Sequence, residues 1–195
     1  MYKVYLVRPR PKLHLGSIPA TAADLHGKVM TAFAAGDLTP IARNNLACTG
    51  LLSSLRGRLT TRAPNTSLSW TVVRTLSSPR LVSYKAVVFP GPPKEPRDEK
   101  NVQVQAVVRL HTLQRLQNLK GEMRRVGKEV VTEMVGAAAP QEKESVEYVV
   151  VQKAVRRGKE GKWMVWGFAE ETSLAKVEQW RGAAEARKGG QAKLS

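Results

Sequence analysis

Features that would indicate a secreted protein or an enzyme are missing from this 195-residue sequence. Its single cysteine, Cys48, cannot form an internal disulfide, so nothing indicates an oxidising compartment. No stretch reaches the roughly 18 consecutive apolar residues of a membrane-spanning helix. A glycine-rich phosphate-binding loop and a GxSxG nucleophile motif are both absent. Because His14, His26 and His111 fall in separate predicted elements without metal-ligand spacing, we predict no enzyme, cofactor or metal site.

The charge balance is one-sided. Lys and Arg number 32 against 16 Asp and Glu, a formal net charge of +16, while 42% of residues are hydrophobic, enough for a folded core. Nucleic acid and an anionic membrane surface are the expected partners, because docked cations release counterions from both. Aromatic residues make up only 6% of the chain. We therefore expect contacts with the backbone and shape of folded RNA, not base readout.

The N-terminal segment has no acidic residue before Asp24. It lacks the apolar core and the cleavage site of a secretory signal. Pro9 and Pro11 oppose a helix, so residues 1–20 are predicted to be an extended basic arm whose cations pair with phosphate. The cations of this arm are Lys3, Arg8, Arg10 and Lys12.

Residues 21–62 show helical spacing of apolar residues. A first helix is predicted from a Thr21 cap to a Gly36 stop, and a second from a Thr39 cap through "TPIARNNLACTGLLSSLRGRLTTR". Cys48 lies within the second pattern and is interpreted as a buried structural thiol.

From Ser67 the apolar period changes to that of strands. "LSWTVVRTL" and "RLVSYKAVVF" are predicted as two strands joined by a turn at "SSPR", and the proline-rich "PGPPKEPRDEK" as a surface loop. "NVQVQAVVRLHTLQRL" alternates, which predicts a half-buried strand. Its buried face would carry Val102, Val104, Ala106, Val108 and Leu110.

The last part of the pattern predicts a hairpin. "VEYVVVQK" and "WMVWGF" are its strands, joined by the charged turn "RRGKEGK". Trp166 and Phe168 are expected to pack against the helices, and Gly167 to allow close approach or a bulge. Residues 120–135 fit either a turn and a strand at Glu129–Val135 or a helix. Residues 171–195 are predicted to be a C-terminal helix and a disordered tail.

Three of these segments, in this order, resemble the Tim-forty-four-like family of mitochondrial proteins. They are "VRLHTLQ" at Val108–Gln114, "EYVVVQK" at Glu147–Lys153 and "GKW" at Gly161–Trp163. Within that family the resemblance is to the branch of the mitoribosomal large-subunit protein L-forty-five and a fungal inner-membrane ribosome receptor. It covers residues 21–170. Leu113 departs from the pattern, since the family usually has a charged residue there.

The resemblance implies an α+β fold in which N-terminal helices pack on a curved antiparallel sheet, a nuclear-transport-factor-two/cystatin-like cone. It also implies a non-catalytic protein of the mitochondrial matrix, at the matrix face of the inner membrane. Such a protein would lie near the peptide exit of the large mitoribosomal subunit. Its partners would be large-subunit rRNA, neighbouring ribosomal proteins, the membrane surface and the insertion machinery, without a small-molecule substrate.

Three basic clusters are the candidate contacts with rRNA or anionic lipid: the arm, a segment after the alternating strand, and the hairpin turn. The second cluster is Arg115, Lys120, Arg124, Arg125 and Lys128, and the third is Arg156, Arg157 and Lys159. Two alternatives remain: a peripheral inner-membrane protein of the import machinery, and a small-ligand enzyme on the same scaffold. Charge spread over several elements favours RNA over a membrane, and a predicted interior of Val, Leu and Ala argues against an enzyme.

Overall fold

The computed structural model describes residues 15–62, 66–89, 101–126, 129–136, 139–156 and 159–170, and of residues 66, 89, 120–126 and 129–136 only the backbone. Most of the predicted arm, the proline-rich loop and the predicted C-terminal helix and tail lie outside these residues.

Helix α1 spans Ile18–Ala35 and follows a short 3-10 turn at Leu15–Ser17. It begins before the predicted Thr21 cap, because Pro19 suits the first helical turn. Gly36 ends it as predicted, with a left-handed φ of 85°. The Arg62 guanidinium donates hydrogen bonds to the carbonyl oxygens of Phe33 and Ala34, which satisfies acceptors of the last helical turn.

The predicted second helix is in fact two helices, α2 (Thr39–Arg43) and α3 (Thr49–Thr60). Between the two helices the backbone forms hydrogen bonds with a strand of the sheet. The amide of Val165 donates to the carbonyl oxygen of Leu46, and the amide of Cys48 donates to that of Val165. Cys48 is therefore not a helix-interior residue. It is the N-cap of α3, where its Sγ accepts from the Leu51 amide and donates to the Trp166 carbonyl.

The sheet has six antiparallel strands. They are β1 (Thr66–Phe89), β2 (Asn101–Val126), β3 (Glu129–Gly136), β4 (Gln141–Arg156), β5 (Lys159–Glu160) and β6 (Met164–Ala169). β2 pairs with β1 on one side and with β4 on the other, and its end continues into a hairpin with β3. The strand alternative for residues 129–135 is therefore confirmed.

Strand β1 corrects one prediction, since no turn forms at "SSPR" and a single strand runs through it. The strand accommodates these residues by register shifts against β2, one of them between Ser77 and Arg80. Pro79 lies within that shift, where a missing amide hydrogen costs little because the ladder is already interrupted.

Strand β6 corrects a second prediction. Its register against β4 shifts between Val165 and Gly167, so Trp166 is an extra residue in a bulge, as Gly167 indicated. The bulge puts Phe168 on the same face as Val165, with its ring 5.9 Å from that of His26 in α1. Trp166 does not pack against the helices as expected; it is 49% exposed.

The core lies between the helices and one face of the sheet. The five predicted residues of β2 are all buried, together with Leu25 and Val29 of α1 and Val149 and Val151 of β4. The α+β class is thus confirmed. The sheet remains open, however, so the expected cone is not confirmed.

Candidate nucleic-acid interface

The basic hairpin turn follows a strand that is buried on both faces at residues 149–151. β4 lies between β2 and the β5–β6 edge, and Val149, Val151 and Val155 are fully buried on its helix-facing side. Val150, on the other side, is 7% exposed. The strand that leads into the turn is therefore anchored in the core as far as Val155.

At the tip, Arg156 of β4 lies directly opposite Lys159 of β5, and both residues are exposed. Like charges directly opposite each other in a sheet destabilise it. Lys162, also exposed, lies instead beside helices α1 and α2, where it lines a pocket with Asp24 and Asp37. Two cations therefore oppose each other at this end of the sheet, where an anionic partner would relieve their repulsion. We call Arg156 and Lys159 the basic tip.

The acid of this turn, Glu160, is paired with a buried cation beneath it. Nζ of Lys153 lies 2.7 Å from Oε2 of Glu160 and 5.1 Å from the centre of the Trp163 ring. Lys153 is only 8% exposed. Its ammonium thus has two partners in the protein, which a buried charge requires.

Tyr84 of β1 belongs to the same region. Burial raises the pKa of its phenol, and the negative charge of Glu160 raises it further. Its hydroxyl is buried and has no hydrogen-bond partner among the described residues. The phenol consequently stays neutral and packs against Val102, Val104 and Val155, the small apolar cluster under the tip.

Gly161 sets the path of the chain after Glu160. Its amide donates a 2.8 Å hydrogen bond to the Ala154 carbonyl, and a Cβ at this position would lie 2.9 Å from the same oxygen. No side chain fits at that distance without moving the backbone. The lack of a side chain at Gly161 therefore lets the chain after Glu160 lie against Ala154, the residue next to Lys153.

The other predicted contact residues are only partly described. The arm residues Lys3, Arg8, Arg10 and Lys12, together with Lys128 and Arg157, lie outside the described residues. Lys120, Arg124 and Arg125 belong to β2, in register opposite Val135, Val131 and Val130 of β3. Arg115 is exposed and donates two hydrogen bonds to Oε1 of Glu142, so an acid already neutralises it.

The hairpin of β2 and β3 also brings acids to the second predicted cluster. Glu133 lies opposite Glu122, and Glu129 lies opposite Val126. Five cations against one acid in residues 115–128 become five against three once β3 is included. The excess of positive charge is therefore smaller here than the sequence of β2 alone indicates.

A polar cluster lies under α1 that the sequence patterns did not predict. Nε2 of His26 is 3.2 Å from Oε2 of Glu147, although it is not aligned for a hydrogen bond. The Gln114 amide donates to the same Glu147 oxygen at 2.6 Å and to Thr112, and it accepts from the Trp70 indole. His26 is 2% exposed and meets the Trp70 ring edge-on at 5.5 Å.

Glu147 is ionised in this setting. Burial alone would raise the pKa of its carboxyl, but contact with His26 and the hydrogen bond from Gln114 outweigh burial and hold the pKa below its usual value. The premise of a purely Val, Leu and Ala interior was thus wrong. Strand alternation is the sequence signal that could have found this cluster. Counting in twos from Leu110 places Gln114 on the buried face of β2, and counting in twos from Val149 places Glu147 on the buried face of β4.

Two further classes of site were sought in the described part of the chain. It contains no group of three His, Cys, Asp or Glu residues that could hold a metal ion. No helix in these residues is long and apolar enough to cross a membrane.

An open sheet with helices on one face and a cationic tip at one end defines a strongly basic α+β protein suited to a polyanionic partner. Comparison with known families then identifies the group: residues 2–180 match the model of the MBA1-like protein family, and the chain belongs to that family. It is a family of mitochondrial, ribosome-associated proteins. No curated protein matches the chain. The mitochondrial and ribosomal parts of the prediction are confirmed, whereas the Tim-forty-four-like family itself is not identified.

Proposed function

We propose that this protein is a non-catalytic component of the large mitoribosomal subunit. It would lie near the peptide exit, bind rRNA, and link the ribosome to the matrix face of the inner membrane while nascent membrane proteins insert. Family membership supports the ribosomal and mitochondrial part of this role. The large subunit, the exit and the rRNA contact are the parts that we add.

The observation that carries the RNA contact is the basic tip. Arg156 and Lys159 face each other across β4 and β5, and Glu160 is engaged by Lys153 below them. Repulsion between these two cations destabilises the free protein, and binding of a phosphate backbone would offset it, since each phosphate contact releases counterions. The anchored strand beneath makes the tip suitable for folded RNA, which presents its phosphates in a fixed array.

We assign the buried cluster around Glu147 to structure and not to catalysis. His26 and Glu147 connect α1 to β4, Gln114 connects both to β2, and the rings of Trp70 and Phe168 flank the imidazole. A cavity of about 310 Å³ lies next to Gln114 and Trp70, and Phe33 and Leu116 also line it. The carboxylate of Glu147 already accepts a hydrogen bond from Gln114 and lies 3.2 Å from the imidazole of His26, so this role requires no substrate.

The test is co-sedimentation of the full-length protein with mitoribosomal subunits from a mitochondrial lysate over gradients of stepped salt. A component held by many contacts in folded rRNA stays with the large subunit at high salt. Release at moderate salt into the membrane fraction would instead describe a receptor that visits the ribosome. Failure to meet the large subunit at any salt would contradict the proposal and favour the import-machinery alternative.

The contribution of the tip is tested by replacing Arg156 and Lys159 with Gln in the same protein. We expect release at lower salt than for the wild type, because two phosphate contacts are lost. The matched control replaces Arg43 of α2 and Arg56 of α3, both exposed, with Gln. If tip and control variants release at the same salt, the tip does not contact the ribosome.

A further inference from the structure

The sheet face turned away from the helices carries a second pair of opposed cations. Along β2 the even-numbered residues from Val102 to Leu110 are buried on one face, and the odd-numbered residues lie on the other face. Arg109 is one of these, and its register partner on β1 is Arg80. Residues directly opposite in an antiparallel pair share a face, with Cβ atoms about 5 Å apart. The two arginine side chains therefore leave the sheet side by side.

Neither guanidinium has a hydrogen bond or an ion pair within the described ranges of the chain. The register places two carboxylates of β4 on this face, and both are engaged elsewhere. Glu142 lies 2.6 Å from a nitrogen of Arg115, and Glu144 lies 2.6 Å from Nε2 of His111. Among the residues that the structure describes, the repulsion between the two arginines is thus left without a countercharge.

The surroundings extend the positive charge. Arg74 and Lys85 are exposed on the same face of β1, opposite Leu113 and Gln105 of β2. Tyr148 of β4 lies opposite Arg109 on its other side. Besides Arg115, which is paired with Glu142, this face thus carries Arg74, Arg80, Lys85 and Arg109 on two neighbouring strands, with a phenol beside Arg109.

We propose that Arg80 and Arg109 form a binding site for RNA phosphate on this open face of the sheet, separate from the basic tip. The assignment rests on the proposed ribosomal function and names a second surface for it. Guanidinium groups suit this site because each offers a planar pair of donors to phosphate oxygens. Tyr148 adds a hydroxyl beside Arg109, which can donate to the same backbone or to a 2′-hydroxyl.

RNA fits this face better than a lipid surface. Arg109 is only partly exposed, so it sits between its neighbours instead of projecting from them, whereas Arg80 beside it is exposed. A flat bilayer contacts the most protruding groups of a docked protein, whereas an RNA strand can lie along the sheet and reach recessed cations. Arg74, Arg80 and Lys85 follow one another along β1, so an RNA strand that lies along β1 could contact each of them in turn.

The experiment measures binding of the full-length protein to transcribed mitochondrial large-subunit rRNA at several salt concentrations. Replacing Arg80 and Arg109 with Gln should weaken binding about 10- to 30-fold near physiological salt and reduce the slope of log affinity against log salt by about 1.5 to 2. The Arg43 and Arg56 double variant removes the same charge from the helices and should change affinity far less. The thermal midpoint of the Arg80 and Arg109 variant should equal or exceed that of the wild type, since repulsion is relieved.

The outcomes separate this site from the proposed function. Equal affinity of the variant and the wild type, with the wild type still on the large subunit, would overturn the site and leave the function standing. Equal losses in the variant and the control would also overturn it, because net charge alone would then matter. Loss of binding to cardiolipin-containing vesicles with unchanged rRNA binding would assign the face to membrane instead. If the wild type never meets the large subunit, the proposed function itself fails.

Discussion

The pair formed by Lys153 and Glu160 allows a quantitative test of how the basic tip is held. Replacing Glu160 with Gln keeps the shape of the side chain but leaves the ammonium of Lys153 buried without its carboxylate. Removing one partner of a fully buried pair costs about 3–5 kcal/mol. Here the Glu160 side chain is 34% exposed, and the Trp163 ring still faces the ammonium at 5.1 Å. Solvent and ring together reduce the expected loss to about 2 kcal/mol.

Urea unfolding followed by circular dichroism measures this loss. With a slope of about 2 kcal/mol per M for a domain of this size, the midpoint of Glu160→Gln should fall by about 1 M. The double variant Lys153→Met with Glu160→Gln buries no charge and should recover to within about 1 kcal/mol of the wild type. A single variant as stable as the wild type would refute the buried pair, and so would a double variant less stable than the single one.

Tyr84 provides an independent readout of the same contact. The charge of Glu160 is the second cause of its raised pKa, after burial. Glu160→Gln should therefore lower the pKa of Tyr84, as followed by ultraviolet titration of the phenols with Tyr84→Phe as the reference. An unchanged titration would mean that the carboxylate of Glu160 does not lie near the phenol.

Three further predictions concern the core, the buried cluster and the turn. Glu147→Gln should lower stability at neutral pH and flatten the acid side of the stability curve. The folded pKa of Glu147 is below the unfolded value of 4.5, so its contribution is present above that value and is lost as pH falls through the folded pKa. A urea midpoint of the wild type that stays the same from about pH 7 to about pH 3 would contradict the contact of Glu147 with His26. Val108→Ala should cost about 2 kcal/mol in urea unfolding, whereas Val82→Ala, 53% exposed, should cost less than about 0.5 kcal/mol; similar losses would contradict the assigned faces. Gly161→Ala should lower the thermal midpoint by an amount equivalent to about 1–3 kcal/mol, and an unchanged midpoint would show that the turn can move to admit a Cβ.

Local patterns predicted the elements that depend on neighbouring residues alone. The alternation of β2 identified its buried face because a strand buried on one side must repeat every two residues. Gly36 identified the end of α1 because few other residues adopt a left-handed φ there. The division of the second helix had no such signal. It follows from pairing of residues 46–48 with Val165, more than a hundred positions later in the chain.

The polar cluster under α1 was missed for a related reason. His26 follows Leu25 on the apolar stripe, and Glu147 precedes a run of valines, so each reads locally as an edge residue. Only the packing of α1 across β4 brings the two together at 3.2 Å. The sequence pattern of α1 alone cannot show which residue of the sheet lies opposite His26, and the pattern of β4 alone cannot show what lies opposite Glu147.

The positions of the surface charges depend on the same long-range register, and bulges decide them. Between Trp70 and Tyr84 the register of β1 against β2 shifts four times, so β1 contains more residues than the length of β2 that it pairs with. With Trp70 held in register, one residue fewer in a shift that precedes Arg80 would move Arg80 to the helix-facing side, because side chains alternate with a period of two. The bulges are thus a means of placing charge as well as of bending the strand. Deleting Ser78 tests this: if the bulge sets the face, the deletion should bury a guanidinium against α1 and destabilise the fold far more than Arg80→Gln, whereas a strand that slips to restore its register should lose little.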